Sequence, residues 1–140
     1  MITAVDSNVF VALWDTEHTL NAVAHSTLEI AFQRGRITLA APAYAELMAG
    51  PGRTEGFLDG FCRETGIVVD WELGEKIWRD AGRAFQGYAR RRRKHGEAAP
   101  RRILTDFLIG AHAIHKASQL LTLDNRIYKA AFPGLSVVSM

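Results

Sequence analysis

Apolar residues along the chain follow two different spacings, which alternate from one end to the other. Short runs rich in apolar and β-branched residues are typical of strands buried on both faces of a sheet, and they occupy residues 1–5, 37–40, 66–70, 120–122 and 136–138. Apolar residues repeated every three or four positions are typical of amphipathic helices, and they occupy about residues 9–14, 20–34, 42–50, 54–64, 73–88, 103–118 and 125–131. Residues 96–100 break the pattern and are predicted to form a loop. The alternation predicts an α/β fold, a three-layer sandwich with a central parallel sheet of about four to five strands flanked by helices.

The size and composition of the chain fit one globular domain, residues 1–140. A chain of 140 residues is too short for two well-packed cores. Its 48 % hydrophobic and 23 % charged residues are the balance of a folded protein rather than a disordered one. Cys62 is the only cysteine, which excludes an internal disulfide and a thiolate metal cluster. Because no apolar run approaches the ~20 residues that span a bilayer and no secretory signal is evident, a cytoplasmic protein without a membrane segment is expected.

Four acidic residues fall where predicted strands end or where the following helices begin. Asp6 ends the first strand, Glu46 lies one turn into the helix after the second, Asp106 is near the start of its helix, and Asp124 lies two residues past the fourth strand. Because ligands of open α/β sheets bind at the carboxyl ends of the strands, these four acids are predicted to meet at one edge. Taken singly, each acid also has a structural explanation as a helix cap, a turn residue or a solvated side chain.

Such a cluster of carboxylates requires compensation of its charge. Two unit charges about 4 Å apart repel by ~4 kcal/mol at an effective dielectric constant of 20. Either some of the acids are protonated or a divalent cation binds between them. Oxygen ligands without histidine or cysteine at ligand spacing favour Mg²⁺ or Mn²⁺ over zinc. An ion of this kind polarises a phosphodiester and generates hydroxide from bound water.

Four segments of the sequence resemble a known family. They are residues 5–9 (VDSNV), 45–47 (AEL) followed by Gly50, 105–113 (TDFLIGAHA), and 120–125 (LLTLDN) followed by Tyr128, Phe132-Pro133 and Val137-Val138. In this order, over nearly the whole chain, they resemble the PIN-domain proteins, and more narrowly the VapC-like toxins of bacterial toxin–antitoxin pairs. Each segment alone is a weak signal, whereas four in order on an alternating α/β pattern are fairly specific.

The resemblance implies a compact sheet sandwich whose acids bind Mg²⁺ or Mn²⁺ and cleave single-stranded RNA or structured RNA loops. Carried over to this chain, the catalytic acids and metal ligands are Asp6, Glu46, Asp106 and Asp124. Asn8 and Thr122 match polar positions that help to hold the metal or its water. The resemblance also implies a homodimer and a small antitoxin that inhibits the enzyme.

The sequence departs from the family pattern after the fourth strand. Many relatives place two acids close together there, whereas Asp124 is followed by Asn125 and Arg126. This difference weakens the case for a complete second metal site. We therefore expect one tightly bound ion and a transient second one.

Much of the positive charge lies just before the helix that carries Asp106. The net charge is only +2, but a basic cluster is formed by Arg90, Arg91, Arg92, Arg93, Lys94, Arg101 and Arg102. These side chains are predicted to bind RNA phosphates. The structural alternative is that cations are simply favoured at the C-terminus of a helix.

Two other functions are compatible with parts of the pattern. Asp6 could be the phosphorylated nucleophile of an aspartate-based phosphatase, but such enzymes need a second acid two residues later, where this chain has Asn8. The chain could also be a non-catalytic RNA- or partner-binding module. The presence of all four acids favours the nuclease, and a metal titration of activity separates the two.

Overall fold

The computed structural model describes residues 1–96 and 104–140. Most of the predicted loop and the basic residues Arg101 and Arg102 lie outside these residues. In chain order the elements are β1 (Ile2–Val5), α1 (Ser7–Trp14), α2 (Asn21–Arg34), β2 (Arg36–Ala40), α3 (Ala41–Leu47), α4 (Glu55–Thr65), β3 (Val68–Asp70), α5 (Glu75–Lys94), α6 (Leu104–Lys116), β4 (Gln119–Thr122), α7 (Asn125–Ala131) and β5 (Val137–Ser139).

The boundaries differ from the predicted ones where local backbone chemistry decides them. β3 begins two residues later than predicted, because Gly66 ends α4 instead of starting the strand. Gly66 has a φ of 77° and donates its N–H to the carbonyl of Cys62, and glycine adopts this left-handed conformation without steric cost. α3 ends at Leu47, before Gly50, in a series of tight turns.

The five strands form one parallel sheet in the order β3-β2-β1-β4-β5. This confirms the predicted α/β fold. The chain builds outward from β1 to β2 and β3, then returns to the other side of β1 to add β4 and β5. The order of the strands therefore reverses between β1 and β4. In open α/β sheets the carboxyl ends of the strands at such a reversal form a crevice that binds ligands.

Seven helices among the described residues flank the sheet. α6 contacts β1, β2 and β4, and α5 packs against α6, while α1 and α2 pack together and contact β4 and β2 respectively. The largest fully buried side chains include Phe10, Phe107, Ile109, Leu120 and Tyr128. Burial of each large apolar side chain stabilises the fold by about 1.5–3 kcal/mol. Among the described residues, no helix has both the length and the apolar character needed to cross a membrane.

α5 and α6 pack side by side and run in opposite directions. The ring of Phe107, near the beginning of α6, stacks on Phe85 with centroids 5.0 Å apart and lies 5.5 Å from the ring of Tyr88. Near the end of α6, His115 is hydrogen-bonded to Asp80, in the first half of α5. The last turns of α5 therefore lie beside the first turns of α6.

His112 fixes α6 to the end of β3. Its side chain is 1 % exposed, and its Nε2 lies 3.1 Å from Oδ2 of Asp70. Lys116 reaches the same oxygen at 3.0 Å and donates to the carbonyl of Glu72. Burial lowers the pKa of His112 and outweighs the opposing effect of Asp70. His112 is therefore neutral near pH 7 and donates through Nε2.

The burial of His112 predicts a pH dependence of stability. Its pKa in the folded protein lies below the ordinary value of 6.5, so the unfolded chain binds more protons and the free energy of unfolding falls as the pH drops through about 6.5. The slope from one such group is at most about 1.4 kcal/mol per pH unit. His112→Leu should flatten this dependence in urea unfolding measured between pH 5 and pH 8. His25→Gln, at an exposed position of α2, should retain it, and equal slopes in the two variants would contradict the assignment.

Gly110 of α6 lies against the ring of Phe132, and a Cβ atom there would clash with the ring. Because Phe132 is itself buried, Gly110→Ala should lower the free energy of unfolding by about 1–3 kcal/mol through overpacking, although alanine is the better helix former. The matched control is Gly82→Ala on α5, where an added Cβ atom would meet nothing within 4 Å outside its own helix backbone. It should raise stability by about 0.5–1 kcal/mol. Chemical denaturation of both variants checks the pair, and stabilisation by Gly110→Ala would refute the packing argument.

Candidate active site

Asp6 follows the last residue of β1 and occupies the crevice beside β4. Its side chain is 4 % exposed and makes no cap hydrogen bond to α1. Instead, its Oδ2 accepts hydrogen bonds from Thr122 Oγ1 and from the Tyr128 hydroxyl, both at 2.8 Å. Asp6 is thus held by the end of β4 and by α7.

Burial has the largest effect on the pKa of Asp6. Burial raises the pKa of Asp6, while hydrogen bonds from Thr122 and Tyr128 and the backbone N–H groups of Ser7 and Asn8 act in the opposite direction. The donors around the carboxylate stabilise its ionised form without fully replacing water. A cation beside Asp6 would supply the remaining stabilisation.

Glu46 of α3 is joined to Asp6 through one hydroxyl group. Ser7 Oγ donates to Glu46 Oε1 at 2.6 Å and lies 3.5 Å from Asp6 Oδ1. Oxygens of both carboxylates therefore lie within 3.5 Å of the same atom. An open pocket of about 340 Å³ adjoins Glu46 and is lined also by Val11, Trp14 and Arg53, so this side of the cluster is accessible to a ligand.

Asp106 lies in the first turn of α6, and its charge contributes to the electrostatics of Tyr128. The pKa of Tyr128 is raised by burial first, then by the charges of Asp6 and Asp106, by its hydrogen bond to Asp6, and by the charge of Glu46. The structure joins Asp6 and Glu46 through Ser7, whereas the meeting of all four predicted acids at one edge stays a prediction.

Asp124, Thr122 and Asn8 organise the turn between β4 and α7. Thr122 is fully buried and accepts the backbone N–H of Asp124 at 3.1 Å through the hydroxyl that it donates to Asp6. Asn8 Oδ1 accepts the N–H of Leu123 at 3.2 Å, and Asp124 caps α7 by accepting the N–H of Arg126 at 3.3 Å. Thr122 thus touches a candidate ligand directly, whereas Asn8 and Asp124 have clear structural roles here.

The donor set of this site fits a hard divalent cation. The side chains around Tyr128 supply carboxylate and hydroxyl oxygens, which are the ligands that Mg²⁺ and Mn²⁺ prefer. Within residues 1–96 and 104–140, however, no three His, Cys, Asp or Glu side chains lie close enough to form a preformed ligand set.

Two residues of this centre, Ser7 and Tyr128, had no role assigned from the sequence. Ser7 follows Asp6 directly, and a hydroxyl there has an obvious alternative role at the start of a helix. Tyr128 lies four residues after Asp124, which is about one helical turn and places both on the same side of α7. That spacing is the signal that could have identified Tyr128.

The described part of the basic cluster lies at the C-terminal end of α5. Arg90, Arg91, Arg93 and Lys94 are exposed, and Arg92 is half-buried. Because α5 runs antiparallel to α6, this end lies on the side of α6 that carries Asp106. The position is compatible with a role in binding an anionic polymer at the acidic site.

The family model of the PIN domain matches residues 3–133. The match covers most of the chain, so the protein belongs to the PIN-domain family, as its sequence segments indicated. At the level of the family, this supports a nuclease, and PIN nucleases generally use a divalent metal ion. The sequence matches none of the curated proteins with which it was compared.

Solved structures with the same fold include three from bacteria. VapBC2 from Rickettsia felis, crystallised with a DNA fragment from the promoter, gives a TM-score of 0.68 at 20 % identity over 100 % of this chain and 99 % of the other. The toxin–antitoxin complex from Klebsiella pneumoniae gives 0.66 at 18 % identity over 98 % and 96 %. FitAcB from Neisseria gonorrhoeae gives 0.63 at 18 % identity over 99 % and 97 %. At these identities the likeness shows a shared fold.

Proposed function

We propose that this protein is a metal-dependent endoribonuclease, the toxin of a toxin–antitoxin pair, acting as a single domain of residues 1–140. The observation that carries the proposal is the buried carboxylate of Asp6 at the strand-order reversal of a PIN fold, where two hydroxyl groups hold it and Ser7 joins it to Glu46. The names of the structural neighbours support the toxin assignment and a cognate antitoxin as partner. A homodimer remains the expectation from the family resemblance.

In the proposed reaction a water oxygen joins the phosphorus of an RNA phosphodiester and the ester oxygen leaves with a proton. Asp6 and Asp106 would hold the main Mg²⁺ or Mn²⁺ ion, and Glu46 and Asp124 would bind a second ion or orient the water. The bound ion would polarise the phosphodiester and lower the pKa of its water. No covalent intermediate with the chain is required.

The protein itself contributes orientation around these acids. Thr122 and Tyr128 hold the Asp6 carboxylate, and Ser7 holds Glu46. Asn8 fastens the first turn of α1 to the turn after β4, so the two strand ends of the crevice keep a fixed separation. Such fixed geometry reduces the reorganisation needed when the transition state forms.

A non-catalytic RNA- or partner-binding module is the second candidate. It is favoured by the finding that no three acids in the described part of the chain stand at ligand distances. The phosphatase alternative has no such support, because Asn8 stands where its second acid is required. Cleavage by the purified protein distinguishes the nuclease from the binding module.

We predict metal-dependent cleavage that requires Asp6. Purified protein, freed of any antitoxin, should produce discrete fragments from a labelled RNA pool with Mn²⁺ and none with EDTA. Asp6→Asn should reduce the rate at least about 100-fold, because even residues that only support metal ligands contribute 10- to 100-fold. Glu29→Gln, an exposed acid on α2, should cleave like the wild type. Cleavage that persists in EDTA or in the Asp6→Asn variant would exclude the proposed site.

The basic end of α5 predicts a change in the salt dependence of RNA binding. In the Asp6→Asn background, the pair Arg90→Gln and Arg93→Gln should reduce the slope of log affinity against log salt by about 0.7 for each phosphate of single-stranded RNA that these arginines neutralise. The matched control is Arg79→Gln with Arg83→Gln, which removes two charges earlier on the same helix. These arginines pair with Glu75 and Asp80 respectively, so the control slope should change less. Equal slopes in all three proteins would show that the basic cluster does not contribute to RNA binding.

A further inference from the structure

Tyr128 is buried beside the carboxylate of Asp6, although the sequence did not single it out as a site residue. It lies on α7, and its side chain is 1 % exposed. Its hydroxyl donates to Asp6 Oδ2 at 2.8 Å. A phenylalanine would fill the same apolar space, so the packing of the ring alone does not require the hydroxyl group.

Two hydroxyl groups converge on the same oxygen of Asp6. Thr122 Oγ1 and Tyr128 Oη both donate to Oδ2, each at 2.8 Å. The other oxygen, Oδ1, lies 3.5 Å from Ser7 Oγ, which itself donates to Glu46 Oε1. The carboxylate is therefore held in one orientation, with Oδ2 against β4 and α7 and Oδ1 toward Glu46.

The hydroxyl of Tyr128 is the donor in this contact, because an ionised carboxylate can only accept a hydrogen bond. Its distance of 2.8 Å from Oδ2 of Asp6 is that of a well-formed hydrogen bond between two oxygens. The hydrogen bond therefore occupies this oxygen from the side of α7.

We propose that Tyr128 is a positioning residue for the Asp6 carboxylate. Its hydrogen bond keeps Oδ2 in contact with protein hydroxyl groups, so that Oδ1 is the oxygen that would bind the divalent cation. Groups behind metal ligands commonly act in this way, by fixing the orientation of the ligand. The proposal rests on the proposed metal-dependent function. It adds a residue and a stated oxygen atom to that function.

The test compares two variants that each lose one tyrosine–aspartate hydrogen bond. Tyr128→Phe removes the bond to Asp6. Tyr44→Phe removes the bond from the buried Tyr44 to Asp59 of α4, which is also 2.8 Å long. Binding of Mn²⁺ is measured from the electron paramagnetic resonance signal of the free ion at neutral pH, and folding from circular dichroism and thermal unfolding. Tyr128→Phe should bind Mn²⁺ about tenfold more weakly, and Tyr44→Phe should bind it as the wild type does.

A second variant keeps the test decisive if Tyr128→Phe does not fold. Thr122→Val removes the other hydroxyl from Oδ2, so it should weaken Mn²⁺ binding in the same way. Wild-type affinity in a folded Tyr128→Phe, or in Thr122→Val, would overturn the positioning role while leaving the nuclease proposal intact. Failure of the wild-type protein to bind Mn²⁺ would overturn both proposals.

Discussion

The burial of one carboxylate at the end of the central strand is the constraint on which the rest of this site depends. Asp6 cannot be placed at 4 % exposure unless donors surround it, because an isolated buried charge is strongly disfavoured. Those donors come from the end of β4 and from α7. Burial of Asp6 therefore requires that β4 and α7 lie where their hydroxyl groups reach its carboxylate.

The reversal of strand order between β1 and β4 opens a crevice at their carboxyl ends, and Asp6 lies buried in it. α3 brings Glu46 to the same place, where Ser7 joins the two carboxylates. Two carboxylates held this close repel each other unless one is protonated or a cation compensates their charge.

The small net charge of the protein does not show how unevenly its charged residues are distributed. Eight of the 17 lysines and arginines lie on α5, whereas the net charge is only +2. Because α5 packs antiparallel to α6, its most basic end lies beside the helix start that carries Asp106. In the proposed nuclease this basic flank would attract the polyanionic substrate, and a cation at the centre would shield the acids.

The sequence was sufficient for the fold, because strand ends and helix starts are encoded locally in the spacing of apolar residues. It also placed Asp6 and Glu46 at the same edge of the sheet, where Ser7 joins them. It was not sufficient for Ser7 and Tyr128, whose roles arise only when β1, β4, α3 and α7 meet. It also left open whether Asp124 is a cap or a ligand. The structure shows the cap, through Oδ1 to the N–H of Arg126.

That cap bears on the number of ions the site can hold. A cap hydrogen bond stabilises a helix by about 1 kcal/mol. Because one oxygen of the capping carboxylate is held by this bond, the other oxygen can point in only a few directions. Asp6 differs from Asp124, because the hydrogen bonds that hold its Oδ2 leave Oδ1 on the side of Glu46. Asn125, which follows Asp124, has no carboxylate that could bind the same ion together with Asp124. The two ends of the crevice are therefore unequal, and an ion held at Asp6 would be bound more tightly than one that depended on Asp124.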